Sequence, residues 1–295
     1  RQPEDVHHAD MFVRLLIQAS ASRCGALRLL ASSSSSFDAL ANVKPIGVVQ
    51  SCWQQKFGTP RQGCLAPDAR ATLRLELQDG LNAAHACEGL EEYSHVWLIW
   101  CFSLNGHEAA NSKVRVPRLR GGRAGLFATR TPFRPNPIGL SLARLERVDG
   151  PTLHLSGIDL VDGTPVIDVK PYVPWYDAPG APTGACAPLG EVRVAPWVPG
   201  AETAPLRVTF SEEAEAVLQD RDTLRRMLMQ SLEADPRPLY RWKRQQRAKG
   251  TAAEYDLHVD GLVARCRFEA EDDGPVSVLV TALTPAAEHK GYPRY

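Results

Sequence analysis

The chain predicts a mainly β fold followed by a smaller α+β domain, and three features carry that reading. Between residues 44 and 176, short apolar or alternating runs recur at the spacing of a β-sandwich or barrel. A stretch rich in Pro, Gly and Ala over 177–205 then reads as a linker, with a helical segment and further strand-like runs over 206–290. No strand leads into a helix through a GxG turn: Gly121-Gly122-Arg123-Ala124-Gly125 runs into a strand instead. A Rossmann-type nucleotide fold is therefore unsupported.

Residues 1–43 stand apart. The chain begins at Arg1 rather than Met and reads as a fragment or an irregular gene product. Met11 to Ser36 holds arginines, serines and alanines but no acid, a composition that suits a mitochondrial transit peptide or a disordered leader equally.

From residue 44 the pattern turns β. Pro45 to Val49 is a candidate strand, and Leu73, Leu75 and Leu77 alternate with Arg74 and Glu76 as in a half-exposed strand. Tyr93 to Phe102 is a continuous apolar run, read as a strand buried on both faces, with His95, Trp97 and Trp100 in the core. Helix is possible in this half only around 81–92. Gly125 to Thr129 reads as a strand; Thr131-Pro132 and Pro135-Asn136-Pro137 then forbid both helix and central strand. Ile138, Leu140 and Leu142 resume the alternation, and Thr152–Leu160 and Pro165–Val173 follow, about six or seven strands in all.

In the second part Leu206 to Phe210 is a strand. Ser211 caps a helix with Glu212, Glu213 and Glu215 in its first turn, which runs to about Glu233 with a break near Asp220–Thr223. Asp235-Pro236 stops it. Tyr255–His258, Leu262–Glu269 and Val276–Ala282 form a meander with turns at Asp260-Gly261 and Asp273-Gly274.

Composition narrows the function classes. Lys plus Arg equals Asp plus Glu at 34 each, so the formal net charge is zero and nucleic acid would have to be met by local patches. One such patch carries Lys113, Arg115, Arg118, Arg120, Arg123, Arg130 and Arg134 without an intervening acid. No apolar run reaches the ~18 residues of a membrane span. The seven cysteines include no CxxC pair, which argues for free thiols in a reducing, cytoplasmic-type compartment and against a structural zinc site.

The stretch RAGLFATRTPFRPNPIGLSLARL over 123–145 concentrates the chemistry. Its prolines hold a rigid loop bearing Arg130, Arg134 and Asn136, and fixed guanidinium forks suit a phosphate, a carboxylate or a purine edge. Within it, FATRTPFRPNPIGLSL resembles the signature of the TrmO (YaeB-type) tRNA (adenine-N6)-methyltransferase family. GTPRQ at 58–62, GLEEYSHVWLIW at 89–100, GIDLVDGTPVIDVKPYVPWYD at 157–177 and DPRPLYR at 235–241 extend the resemblance over most of 44–245.

The resemblance implies a small β-barrel that binds S-adenosyl-L-methionine, usually as a homodimer. It also implies an acceptor: the exocyclic amino nitrogen of threonylcarbamoyladenosine beside the anticodon of threonine tRNA. By motif position it implies cofactor contacts at Arg61, Gln62, Gly63, Cys64, Leu65, Ser103, Leu104, Arg130 and Leu140, and over Ile158, Asp159, Leu160, Asp162, Gly163 and Thr164. Arg130 would pair with the methionyl carboxylate. Two departures from the family pattern stand out: Gly63 where Pro is frequent, and Ser103-Leu104 where His and a polar residue are frequent.

A proton must leave the acceptor nitrogen, and carboxylates at strand ends are suitable bases. Asp159 and Asp162 are the candidates, although Asp162-Gly163 also reads as an ordinary turn and Asp168 as an ion-pair partner of Lys170. Arg118, Arg120, Arg123 and Arg134 are candidates for the tRNA backbone, and Phe127, Phe133 and Trp175 for base stacking. An adaptor that retains the fold without turnover is the competing reading.

Overall fold

The computed structural model describes residues 43–105, 111–116, 122–178, 192–198, 205–237, 253–269 and 277–286. Among them, eight strands precede residue 172: β1 (Gly47–Ser51), β2 (Arg70–Leu75), β3 (His95–Cys101), β4 (Lys113–Arg115), β5 (Arg123–Gly125), β6 (Ile138–Asp149), β7 (Thr152–Ser156) and β8 (Pro165–Pro171). Six of them close a barrel in the order β1-β2-β7-β6-β3-β8, every pairing antiparallel, with β1 meeting β8 through Gly47 and Val166. Closure removes the exposed sheet edges. β4 and β5 form a separate two-stranded ribbon.

Alternation sets which face is inside. Val49, Leu73, Val96, Leu98, Ala143, Leu145, Leu153, Leu155 and Val166 fill the interior, and all are buried. Trp53, fully buried, donates its indole N–H to the Ile158 carbonyl at 2.9 Å, joining the β1 exit to the β7–β8 connection. Trp100 lies against Gly139 so closely that a Cβ there would sit 2.3 Å from the ring, so only glycine fits opposite this tryptophan.

The structure corrects three local expectations. Gly125–Thr129 is not a strand: the chain leaves β5 at Gly125 and makes a 3-10 turn over Leu126–Ala128. Arg134 captures the carbonyl oxygens of Thr129 at 2.8 Å and Leu126 at 3.5 Å, a closure that local β propensity does not register. Residues 81–92 hold only the short 3-10 turns His85–Cys87 and Leu90–Glu92. β3 is buried on one face only, because Val96, Leu98 and Trp100 point inward while His95 and Trp97 face outward, half-buried.

After β8 comes α1 (Pro174–Asp177), whose Asp177 Oδ2 accepts from the Trp97 indole at 3.1 Å and the Val173 N–H at 2.9 Å. Of the linker stretch, 179–191 and 199–204 lie outside the described residues. The second sheet contains β9 (Arg207–Phe210), β10 (Ala253–Val259), β11 (Leu262–Glu269) and β12 (Ser277–Pro285) in the order β10-β11-β12-β9. The meander is as expected, although the Asp273-Gly274 turn falls outside the described residues. Two helices follow β9, α2 (Glu212–Leu218) and α3 (Asp222–Glu233), with the break where it was expected. Ser211 caps α2 by accepting from Ala214 N–H.

Barrel and second sheet share one buried core. Asp260 N–H donates to the Cys52 carbonyl at 2.8 Å and the Ser231 hydroxyl to the Gly58 carbonyl at 3.3 Å. Asp68 Oδ2 receives Gln230 Nε2 at 2.7 Å and Arg226 Nε at 3.0 Å, contacts that hold its carboxyl below the usual carboxylate range. Helix α3 is thereby fixed to the segment that leads into β2.

Candidate active site

A cleft of about 600 Å³ lies on the outer wall of the barrel, within the size range of small-molecule and cofactor sites. Its wall is made of outward-facing residues on four adjacent strands: His95 and Trp97 on β3, Leu142, Arg144 and Glu146 on β6, Ser156 on β7 and Arg70 on β2. Gln62, Gly63, Cys64, Pro67 and Asp68 flank one side, Arg130 approaches from the proline-rich loop, and Ser141, Gly157 and Asp159 complete the lining.

Gly63 sets how closely the flanking segment can approach. A Cβ at this position would lie 1.9 Å from the Gly157 carbonyl oxygen and 3.4 Å from that of Leu142, so the segment rests directly on β6 and the β7 exit. Gly63→Ala is expected to cost about 1–3 kcal/mol, because backbone must move on both sides. The same substitution should weaken ligand binding in the cleft. Thermal melts together with cofactor titration of the variant check both effects.

At one end, Asp159 is positioned by a relay through the wall. The Trp100 indole donates to Ser141 Oγ at 3.0 Å, and Ser141 Oγ–H donates to Asp159 Oδ1 at 2.6 Å. Burial pushes the Asp159 carboxyl above its ordinary range; the Ser141 hydroxyl, backbone N–H groups and the nearby Arg130 charge hold it back only in part. Arg130 Nη1 donates to Gln62 Oε1, which locks the guanidinium at the mouth of the cleft. A half-buried carboxylate of raised pKa near a fixed guanidinium can serve as proton acceptor and anion clamp respectively.

The other sequence candidates are dispersed. Gln62, Gly63, Cys64, Arg130 and Asp159 share the cleft. Ile158, Leu160 and Thr164 are buried and do not line it, and Leu140 is exposed on β6. Leu65 ends a 3-10 turn beside Cys64, and Arg61 donates to the Arg237 carbonyl at 3.4 Å. Asp162 is exposed and its Oδ1 accepts the Ser51 N–H at 2.9 Å, so its carboxylate closes the turn around Gly163, whose φ is +79°. Ser103 and Leu104 form an exposed turn after β3 and do not line the cleft. Asp168 is paired with Lys170 at 2.8 Å.

The basic candidates separate likewise. Arg134 spends its guanidinium on its own loop and stacks 5.5 Å from the Phe127 ring, while Arg123 is exposed on β5, directly opposite Arg115 of β4. Arg118 and Arg120 lie outside the described residues. His95, Trp97, Arg70, Arg144, Glu146 and Ser156 line the cleft without having been singled out as ligand contacts. Their signal is cross-strand register, which no local pattern reports.

A closed antiparallel barrel carrying a polar cleft on its wall, with an activated carboxylate and a fixed arginine, defines a non-Rossmann β-barrel with an enzyme-like ligand site. Residues 48–178 match the family model of the tRNA-methyltransferase O N-terminal domain, and 203–261 that of the TrmO C-terminal domain. The chain belongs to the TrmO family. It is 38% identical over 234 residues to a tRNA (adenine(37)-N6)-methyltransferase of Escherichia coli, covering 76% of this chain and 94% of that protein. A mouse protein of the same name is 49% identical over 136 residues, covering 46% of this chain and 32% of its own length, so the chain spans about a third of that mammalian relative. The crystal structure of TrmO from Pseudomonas aeruginosa matches with a TM-score of 0.58 at 33% identity, covering 82% of this chain and 98% of that one.

Proposed function

We propose that the chain is an S-adenosyl-L-methionine-dependent tRNA methyltransferase acting on the exocyclic amino nitrogen of threonylcarbamoyladenosine beside the anticodon of threonine tRNA. The observation that carries this reading is Asp159, half-buried, raised in pKa and held by Ser141 in a cleft that also contains Arg130. The match to the tRNA-methyltransferase O N-terminal domain, residues 48–178, spans every residue that lines the cleft.

The residues present suit the cofactor. Arg130 offers a fork for a carboxylate, Trp97 and His95 offer ring faces for an adenine, and the Asp159 carboxylate suits a sulfonium charge. When bound, S-adenosyl-L-methionine supplies an electrophilic methyl group. The acceptor nitrogen is conjugated to a carbamoyl group, which weakens it as a nucleophile but acidifies its N–H. Asp159 takes that proton, and the Trp100–Ser141 relay keeps the accepting oxygen in place. The departure at Ser103-Leu104 falls between Phe102 and Asn105, which bond to Pro137 and Pro132 of the Arg130 loop, and it does not line the cleft.

For the RNA, the β4–β5 ribbon is the favoured surface. Arg115 and Arg123 oppose each other directly across it, a like-charge pairing that destabilises a ribbon unless an anion lies between. Binding of threonine tRNA is expected to weaken with salt, and the Arg123→Ala variant should flatten the log–log salt slope by about 0.9, one phosphate contact. An unchanged slope would remove the ribbon from the interface. The same reading has the chain working as a homodimer in a reducing compartment.

The direct test is single-turnover methylation with labelled S-adenosyl-L-methionine and threonine tRNA with and without threonylcarbamoyl. Label is expected only on the modified tRNA, falling about 10- to 100-fold in Arg130→Ala as a charge-assisted bond is lost. Because Arg130 helps keep Asp159 ionised, the acidic limb of the rate profile should also move to higher pH in that variant. Bound tRNA without label transfer would favour the adaptor.

A further inference from the structure

The cleft has a second charged end, opposite in character to the Asp159 end. Arg70, Ser156, Arg144 and His95 stand side by side on β2, β7, β6 and β3, since Arg70 pairs with Ser156, Ser156 with Arg144 and Arg144 with His95. Directly paired residues project to the same face, so this row crosses the wall as one band. Its centre is Ser156, small and buried, flanked by two arginines whose Cα atoms are about two strand spacings, ~10 Å, apart. A small residue between two long cationic ones leaves a notch that guanidinium forks can close on from both sides.

The two acids beside this band are already engaged. Glu146 accepts the Ser156 hydroxyl at 2.5 Å and lies 3.5 Å from Arg144 Nε. It stands at a bulge in β6 between Leu145 and Arg147, a device that re-aims side chains beside sites. Asp68 is committed to Arg226 and Gln230 of α3. Arg144 is thus shared with Glu146, whereas Arg70 acts on Asp68 through its charge alone and among the described residues forms no ion pair.

We infer that Arg70 and Arg144 form a carboxylate-reading end of the cleft, which recognises the amino-acid carboxylate appended to the acceptor base. This inference rests on the proposed methyl-acceptor class. Planar guanidinium forks match a carboxylate bidentately and an ester or amide poorly. An anion in the notch would lie between two guanidinium groups, one of which forms no ion pair among the described residues. An adenine bearing a charged amino acid is thereby separated from an unmodified adenine at the end of the cleft remote from Asp159. The methionyl carboxylate of the cofactor presents the same chemistry and is the competing source.

The test is equilibrium binding of a synthetic anticodon stem-loop carrying threonylcarbamoyladenosine, compared with the same stem-loop whose carboxylate is a methyl ester. Wild type is expected to favour the acid by about 10-fold, a charge-assisted pair's worth. Arg70→Met and Arg144→Met should each lose most of that preference, and Arg144→Lys should keep part of it. Dissociation constants for S-adenosylhomocysteine should be unchanged in the variants, and melting curves confirm that they fold. Equal binding of acid and ester by wild type would overturn the assignment. So would variants that weaken S-adenosylhomocysteine binding while keeping the acid preference, because the carboxylate then belongs to the cofactor. Acid preference without methyl transfer would sink the proposed activity and leave the carboxylate site standing.

Discussion

Asp159→Asn is expected to lower kcat by about 10²- to 10⁴-fold, the range for loss of a positioned general base, with tRNA affinity nearly unchanged. The amide keeps the shape and still accepts from Ser141, so the wall relay survives and only the basic oxygen is lost. Stability should move the other way. Burial raises the Asp159 carboxyl above its unfolded-state value of 3.8, so between the two values the folded chain holds a proton that the unfolded chain has released. That contribution is fully present below the unfolded value and is lost as pH rises through the folded one. At neutral pH the wild type carries a desolvated charge that asparagine removes, and the variant should melt at a higher temperature than wild type. The activity profile has the opposite sign, since Asp159 must be ionised to take a proton and kcat should climb as pH passes its raised pKa. Parallel pH series of melting temperature and single-turnover rate test both signs. An Asn variant that methylates at the wild-type rate would remove Asp159 from the chemistry.

Those opposed signs show where local sequence was informative. The barrel was legible because its strands alternate, and Gln62, Gly63, Cys64, Arg130 and Asp159, picked out by motif position, line one cleft. The remainder of the site was hidden for two physical reasons. Arg70, Arg144 and Ser156 look individually like the solvent face of ordinary strands; only the pairing of four strands makes them one band. His95 and Trp97 read as core because an apolar strand and a cleft wall use the same residue types. Asp162 read equally as a base or as an ordinary turn residue; its carboxylate accepts the Ser51 N–H and does not line the cleft. Proline placement located the Arg130 loop, but its turn geometry depends on Arg134 reaching back to Leu126 and Thr129.

Arg237→Ala should be among the most destabilising single substitutions, although the residue is charged and lies far in sequence from the barrel. Arg237 is only 3% exposed and forks onto Asp235, Nε to Oδ1 at 2.7 Å and Nη2 to Oδ2 at 2.8 Å. Its guanidinium lies 3.8 Å from the Phe268 ring centre on β11, and its carbonyl receives Arg61 Nη2 at 3.4 Å. Truncation removes the cation over Phe268 and leaves Asp235, held at a left-handed φ of +50°, without this guanidinium. Loss of one partner of a buried pair costs about 3–5 kcal/mol, and the lower part of that range applies because Asp235 remains partly exposed. At ~2–4 °C per kcal/mol for a chain of this size, melting should fall by roughly 6–12 °C. Arg237→Lys keeps the charge but not the fork or the planar stack, and should fall between wild type and Ala. A variant that melts within about 2 °C of wild type would show that the second sheet is held without the Arg237 side chain.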